Sequence, residues 1–504
     1  MAPTPAGDLP SRSASENAAK VVWALAWPAV ALNSLQVFNN ILDRGFIGRL
    51  EPSALAAQSA SMNVMFLMFS LAMSLATAAT ALVSRAFGAR DERTLHEANR
   101  QCLSLSAALG LALMVGTWVI APFAARALLP SQDRRAVELM VGFLAVYATA
   151  LPALNFIQVF AGSLRGIGDT KSPMRISGLQ ILLHVLLNFL LIFPARTIGP
   201  ILVPGAGLGL YGASAALSIS AWIASAVYLV FSRKTILGPA WRLVLPSPSW
   251  VHRILRIAIP AAAMSVLRVA QLAVFTIILK ATTTPLQASL LDVARQTALA
   301  AAVAIPVGAL GSWVGAVGTL VTPASAAIAA MGVGFALESI MFMPAFGLSV
   351  ASAALVGQSL GMRNAARAER LAWTAAHHAG LVTLVLSAPI FLLAEPITAL
   401  LVPDNRLIAA EAVSLIRWLC VTEVGFAYGV VLTGAMQGAG DTTRPLWLTV
   451  VSLWFVRIPM AFGLSLVLGM GPVGSWIAMG VSQLLNGILC AIVFRQGRWK
   501  TKKV

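Results

Sequence analysis

The chain has 504 residues, of which 59% are hydrophobic and 11% charged, and its formal net charge is +17. Soluble domains hold roughly a quarter charged residues, so this composition excludes a water-soluble globular protein and predicts one that lives in a bilayer. The positive charge could point to nucleic acid, but its distribution along the chain points elsewhere.

The first twenty residues, MAPTPAGDLPSRSASENAAK, are polar and lack an apolar stretch with a small-residue cleavage site. They read as a disordered tail (1–20) with no signal peptide. Charge-free runs at 21–42, 52–84, 101–125, 139–164 and 176–195 each exceed the ~18 residues that mark a spanning helix. The run 197–232 is interrupted by PGAGLG at 204–209, so only the part after the breaker must span. Residues 233–250 read as a linker. Beyond it, 251–282, 339–362, 371–394, 405–440 and 445–468 read as helices, and 458–494 spans after its own breaker, GMGPVG at 469–474. A basic tail, 497–504, closes the chain. The total is twelve spans.

Cys102, Cys420 and Cys490 lie far apart with no C-x-x-C spacing, and predict neither a disulfide framework nor a metal site. With both termini in the cytoplasm, 23 of the 35 Lys and Arg residues fall on the inner side. That bias obeys the positive-inside rule. The charge therefore sets topology, and no nucleic-acid partner is expected.

Landmarks recur in order. LRGIGDT (164–170) returns as MQGAGDT (436–442), ALVSRAFGAR (81–90) as ALVGQSLGMR (354–363), and GLGLYGASAALS (207–218) as GMGPVGSWIAMG (469–480). The chain is thus a duplicated six-helix unit. Six is even, so both copies enter the membrane from the same side, related by a pseudo-two-fold axis along its normal. The predicted fold is an all-α membrane protein of twelve transmembrane helices in two pseudo-symmetric six-helix lobes, the N-lobe at 21–232 and the C-lobe at 251–496. In the repeated turn the glycines allow a tight reversal, Asp-Thr caps the next helix, and the following proline suits its first turn. The offset between copies is 232 at Pro28 and Pro260 but 273 at ALVSRAFG and ALVGQSLG, so about 41 residues are inserted at 283–323. An extra single span there would invert everything after it; a re-entrant or surface-lying helical pair broken near Pro306 and Gly311 is expected instead.

Across nearly its whole length the chain resembles the multidrug and toxic compound extrusion (MATE) transporters. The resemblance rests on Pro28 followed fifteen residues later by Asp43, on RGIGDT and QGAGDT, on ALESIMFMPAFGLSVASAALVGQSLG at 336–361, and on RIP at 457–459. It implies efflux of organic, often cationic or amphiphilic, compounds by alternating access, driven by protons or sodium ions. No cofactor is implied; the partners are drug-like small molecules and the lipid bilayer, and the expected form is a monomer in the plasma membrane.

In the first helix Asn33, Gln36, Asn40 and Asp43 share one face, with Asn39 at its edge, and such a stripe should face a wet cavity. An ionisable residue within a span is costly and is by default a functional candidate, so Asp43 is the expected proton carrier. The bland alternative is an outer-rim pair with Arg44. Asp43 falls where the DNA-damage-inducible branch of the family carries its protonatable aspartate. That branch's Asn-x-x-x-Asp in the fifth helix aligns with LHVLLNFLLIF here, which places His184 and Asn188 in those positions. One carboxylate is replaced by a group titrating near pH 6.5, so the usual two-carboxylate relay is in doubt and His184 is a second coupling candidate.

In the second lobe, aligning Pro260 with Pro28 places Arg268 opposite Gln36, where the sodium-driven branch carries a glutamate. An arginine there disfavours a cation site, so protons are the preferred coupling ion and sodium the alternative. Glu338, Glu423 and Arg457 are further intramembrane charges, read either as cavity residues or as neutralising pairs of Arg457 or Arg268 with Glu338 or Glu423. His377 and His378 stay unassigned. A lipid-linked oligosaccharide flippase of the same superfamily would share this architecture, with more charge in its cavity. No DDxxD, HExxH or G-x-S-x-G pattern supports an enzyme.

Overall fold

The computed structural model describes residues 17–129, 132–198, 201–282, 323–403 and 405–502. The proposed helical pair of the insertion lies outside them. In the first half run α1 (Ala18–Ile47), α2 (Pro52–Gly88), α3 (Glu92–Leu128), α4 (Arg134–Ala148), α5 (Leu151–Gly166), α6 (Lys171–Leu191) and α7 (Leu210–Ser232). In the second run α8 (Pro248–Ala281), α9 (Pro323–Gly361), α10 (Ala365–Leu392), α11 (Ala394–Leu401), α12 (Arg406–Gly438), α13 (Thr443–Val450), α14 (Ile458–Phe462) and α15 (Pro472–Arg495).

Among the described residues, eleven helical stretches are long and apolar enough to cross a membrane, and the bent pair α4–α5 makes a twelfth. The span expected over 139–164 is therefore not one straight rod. It breaks by 50° just before Pro152, whose ring cannot continue an incoming helix. The all-α expectation holds; the one short addition among the described residues is an antiparallel hairpin of β1 (Pro194–Ile198) and β2 (Ile201–Ala206) ahead of α7. Its β-branched residues favour strand. Between α13 and α14, and again after α14, the backbone widens into π-helix at Val451–Arg457 and Gly463–Val467.

The duplicated turns are structurally equivalent. Gly168 and Gly440 take φ of 91° and 80°, and the following amides of Asp169 and Asp441 reach back to the carbonyls of Leu164 and Met436, both at 2.9 Å. That is a Schellman closure, which requires a left-handed residue and so favours glycine. The capping expectation holds in the first copy, where Asp169 Oδ1 accepts from the Ser172 amide at 2.9 Å. In the second, Asp441 is fully buried and pairs with Arg444 instead.

One feature of the packing cuts across the two lobes. Val22 and Ala26, at the start of α1, belong to a core built from α9, α10 and α12. Ile254, Ile257 and Ala258, at the start of α8, belong to the N-lobe core of α2, α3 and α5. Each lobe's leading helix thus begins in the opposite lobe and crosses to its own beyond an internal proline, Pro28 or Pro260. On that same side the ends of α2 and α9 touch: a Cβ on Gly88 would collide with the Gln358 backbone, and one on Gly361 with the Arg85 carbonyl. Gln358 Nε2 donates to the Gly166 carbonyl at 2.9 Å, and Arg85 donates to the carbonyls of Ala439 at 2.9 Å and Lys502 at 2.8 Å. The lobes are closed on the side of the described termini.

Candidate functional site

Two compartments open toward the other side. The smaller, about 90 Å³, is lined by Asn40, Asp43, Arg44, Gln58, His184 and Asn188 among others. Asp43 sits near the far end of α1, and His184 and Asn188 lie one turn apart on α6, so their side chains stack on one helix face. His184 Nε2 lies 3.0 Å from Asp43 Oδ1 and 3.2 Å from Oδ2. Asn188 Nδ2 donates to Oδ1 at 2.7 Å, and Asn39 Nδ2 to Oδ2 at 3.3 Å. The bland alternative for Asp43 therefore gives way: among the described residues its charged contact is His184, not Arg44. Asp43's side chain is 23% exposed and His184's 6%, so the carboxylate has a route to water while the imidazole is sealed behind it.

His184 Nε2 faces the carboxylate and also lies 3.1 Å from Asn188 Nδ2, so its role as donor or acceptor depends on the tautomer; His184 Nδ1 is buried with no partner among the described residues.

The larger cavity, about 700 Å³, lies between the lobes and is walled by α1, α8, α9, α12, α15 and the π-helical stretch. Asn40, Arg44, Arg268, Glu338 and Arg457 line it, with Phe335, Phe342 and Phe426 supplying apolar wall. Asn40 and Arg44 also line the smaller compartment, so the two share a partition. Arg457, at the end of its π-helical turn, is held by neutral acceptors: Ser482 Oγ at 2.7 Å and Gln271 Oε1 at 3.4 Å. Glu338 accepts from Gln483 Nε2 at 2.9 Å.

The neutralising pairs entertained from the sequence do not form. Among the described residues neither Arg268 nor Arg457 makes an ion pair with Glu338 or Glu423. Glu423 leaves the candidate cavity altogether; it is fully buried and both carboxylate oxygens lack a hydrogen-bond partner. The polar stripe of α1 lines these compartments only in part: Asn40 and Asp43 do, whereas Asn33 and Gln36 line neither. His377 Nδ1 meets the Tyr428 hydroxyl at 2.6 Å and His378 stacks on Trp23, both away from these compartments. The cysteines are free and buried.

The sequence reading missed Gln271, Gln483 and Arg165. The first two are amides in apolar helices, a signal as strong as that of Asn40; Arg165 was absorbed into its turn motif. A third, inner compartment of about 220 Å³ is lined by Arg165 and Arg268 together with Gln437, serine and threonine hydroxyls and apolar residues.

The MatE family model matches residues 28–190 and 309–462. A probable multidrug resistance protein NorM of Thermotoga maritima is 24% identical over 487 residues, covering 95% of this chain and 93% of that protein. The multidrug resistance protein MdtK of Photorhabdus laumondii is 24% identical over 494 residues, covering 96% of each. Among solved structures, a MOP superfamily transporter from Pyrococcus furiosus superposes with a TM-score of 0.79 at 21% identity, covering 96% of this chain and 97% of that one. A multidrug resistance MATE family transporter in an outward-facing conformation gives 0.77 at 22% identity, covering 95% of each.

Proposed function

The chain belongs to the MatE family, a multi-pass membrane transporter and not an enzyme, and from that premise we propose that it is a secondary active exporter of organic compounds in exchange for protons. The observation that carries the reading is the carboxylate of Asp43 held by His184 and Asn188 at the edge of the smaller compartment. A carboxylate placed within a span at such cost serves exchange. The positive-inside bias supports cytoplasmic termini in a plasma membrane, so the closed crossing of α2 and α9 is read as the inner gate and the cavity as facing outward. A proton entering from outside neutralises Asp43, relaxes the hold of α6 on α1 and favours reorganisation about Pro28; each charge crossing 100 mV contributes about 2.3 kcal/mol. Small-molecule cargo is supported by the similarity to multidrug resistance proteins.

The test uses the purified protein in vesicles with a lumenal pH reporter and a cargo drawn from a susceptibility panel in a pump-deficient host. Asp43→Asn is expected to insert and bind cargo, yet to release no protons and extrude nothing against a gradient. Replacing sodium by potassium at constant pH and potential should leave wild-type efflux unchanged. Near wild-type transport by Asp43→Asn across pH 6 to 8, or a steep sodium dependence, defeats the reading.

A further inference from the structure

The central path is cationic. The charged groups that line the outer cavity are three guanidiniums, Arg44, Arg268 and Arg457, against one carboxylate, Glu338. None of the three is ion-paired among the described residues. Hydrogen bonds from Arg457 to Ser482 and Gln271 orient its fork, and the one carboxylate that acts on its charge, Glu338, does so from beyond ion-pair distance. Arg268 lines both the outer cavity and the inner compartment, where the second charged residue is again an arginine, Arg165, and no carboxylate is present. A guanidinium away from bulk water is expensive, and here Arg457, Arg268 and Arg165 follow one another from the outer cavity into the inner compartment. A cationic cargo would meet like charge at every stage, which costs several kcal/mol. Asp43, which could attract it, lies behind the partition in its own compartment.

We propose that the cargo is an organic anion, its acidic group taken by Arg268 and Arg457 and its apolar body by Phe335, Phe342 and Phe426, with Arg165 receiving the acidic group as the inner gate opens. This rests on the exporter reading but not on its proton coupling. A cavity of about 700 Å³ suits a drug-sized molecule, and a guanidinium fork matches the planar oxygens of a carboxylate, sulfonate or phosphate. A soluble organic acid and the phosphate headgroup of a lipid share this chemistry.

The test is equilibrium binding to the purified full-length chain in detergent with a matched pair of probes, 1-naphthalenesulfonate and trimethyl(1-naphthyl)ammonium. The sulfonate is expected to bind about ten-fold tighter or more. Arg268→Gln, which breaks no hydrogen bond among the described residues, should erase most of that preference, and Arg268→Lys should retain it in part. A prenyl diphosphate that binds far tighter than the sulfonate assigns the anion to a lipid headgroup; comparable binding assigns it to a soluble acid. Equal or tighter binding of the ammonium, no binding of the sulfonate, or a preference untouched by Arg268→Gln overturns the proposal. Vesicles that bind the sulfonate yet move no protons would overturn the coupling and leave the cargo class standing.

Discussion

His184 and Asp43, 141 positions apart in sequence, meet at 3.0 Å between ring nitrogen and carboxylate oxygen. On the proton-exchange reading the two serve one step, so removing either should remove it. His184→Asn is expected to keep cargo affinity within about two-fold and to lower transport by ten-fold or more, the scale of a lost acid–base partner. The double variant with Asp43→Asn should be no worse than Asp43→Asn alone, since members of one unit are not additive. Losses that multiply in vesicle transport assays would show two independent sites.

The closed gate makes a second test. At the α2–α9 crossing the backbones approach so closely that Gly361 faces the Arg85 carbonyl without room for a side chain. Gly361→Leu leaves each lobe's own core intact, but the two helix ends can no longer meet. We expect a folded protein whose transport is lost and whose Ser84→Cys label, buried in the wild type, reacts several times faster from the cytoplasmic side. Unchanged labelling with normal transport would place the gate elsewhere.

How far the sequence carried depended on the length scale of the signal. Hydropathy and repeats revealed twelve spans, because runs longer than a bilayer and glycine-punctuated turns are local properties. Asp43, His184 and Asn188 could be singled out for the same reason, each being polar in an apolar helix. Partners across helices could not be read. That Glu423 turns into a core, or that Arg457 leans on Ser482 and Gln271, depends on helix rotation, and the π-helical turn before Arg457 alters that rotation without a mark in the hydropathy. The hairpin at 194–206 joins the end of one apolar run to the start of the next across Arg196, and strands this short cannot be told from helix ends by periodicity.

The last prediction concerns Glu423. It lies in the middle of α12, fully buried, and neither carboxylate oxygen has a hydrogen-bond partner among the described residues. Among the described residues no guanidinium pairs with it. Whether ionised or neutral, the carboxyl forfeits bonds it would make in water, a loss of about 1–3 kcal/mol for an unsatisfied buried polar group. Methionine has nearly the same length and needs no partner. If the side chain serves only as packing, Glu423→Met should raise the thermal unfolding midpoint by a few degrees, since about 1 kcal/mol shifts it by roughly 2 °C in a large chain. Transport should stay within about two-fold, because Glu423 lines neither the outer cavity nor the proton compartment. A lower midpoint together with lost transport would mean the reverse: that the carboxyl is satisfied in another state of the cycle, by a proton route or an ion that reaches it when the lobes rock. Thermal melts in detergent and vesicle transport on the same preparation separate these outcomes, and the pairing of the two results, rather than either alone, assigns the residue.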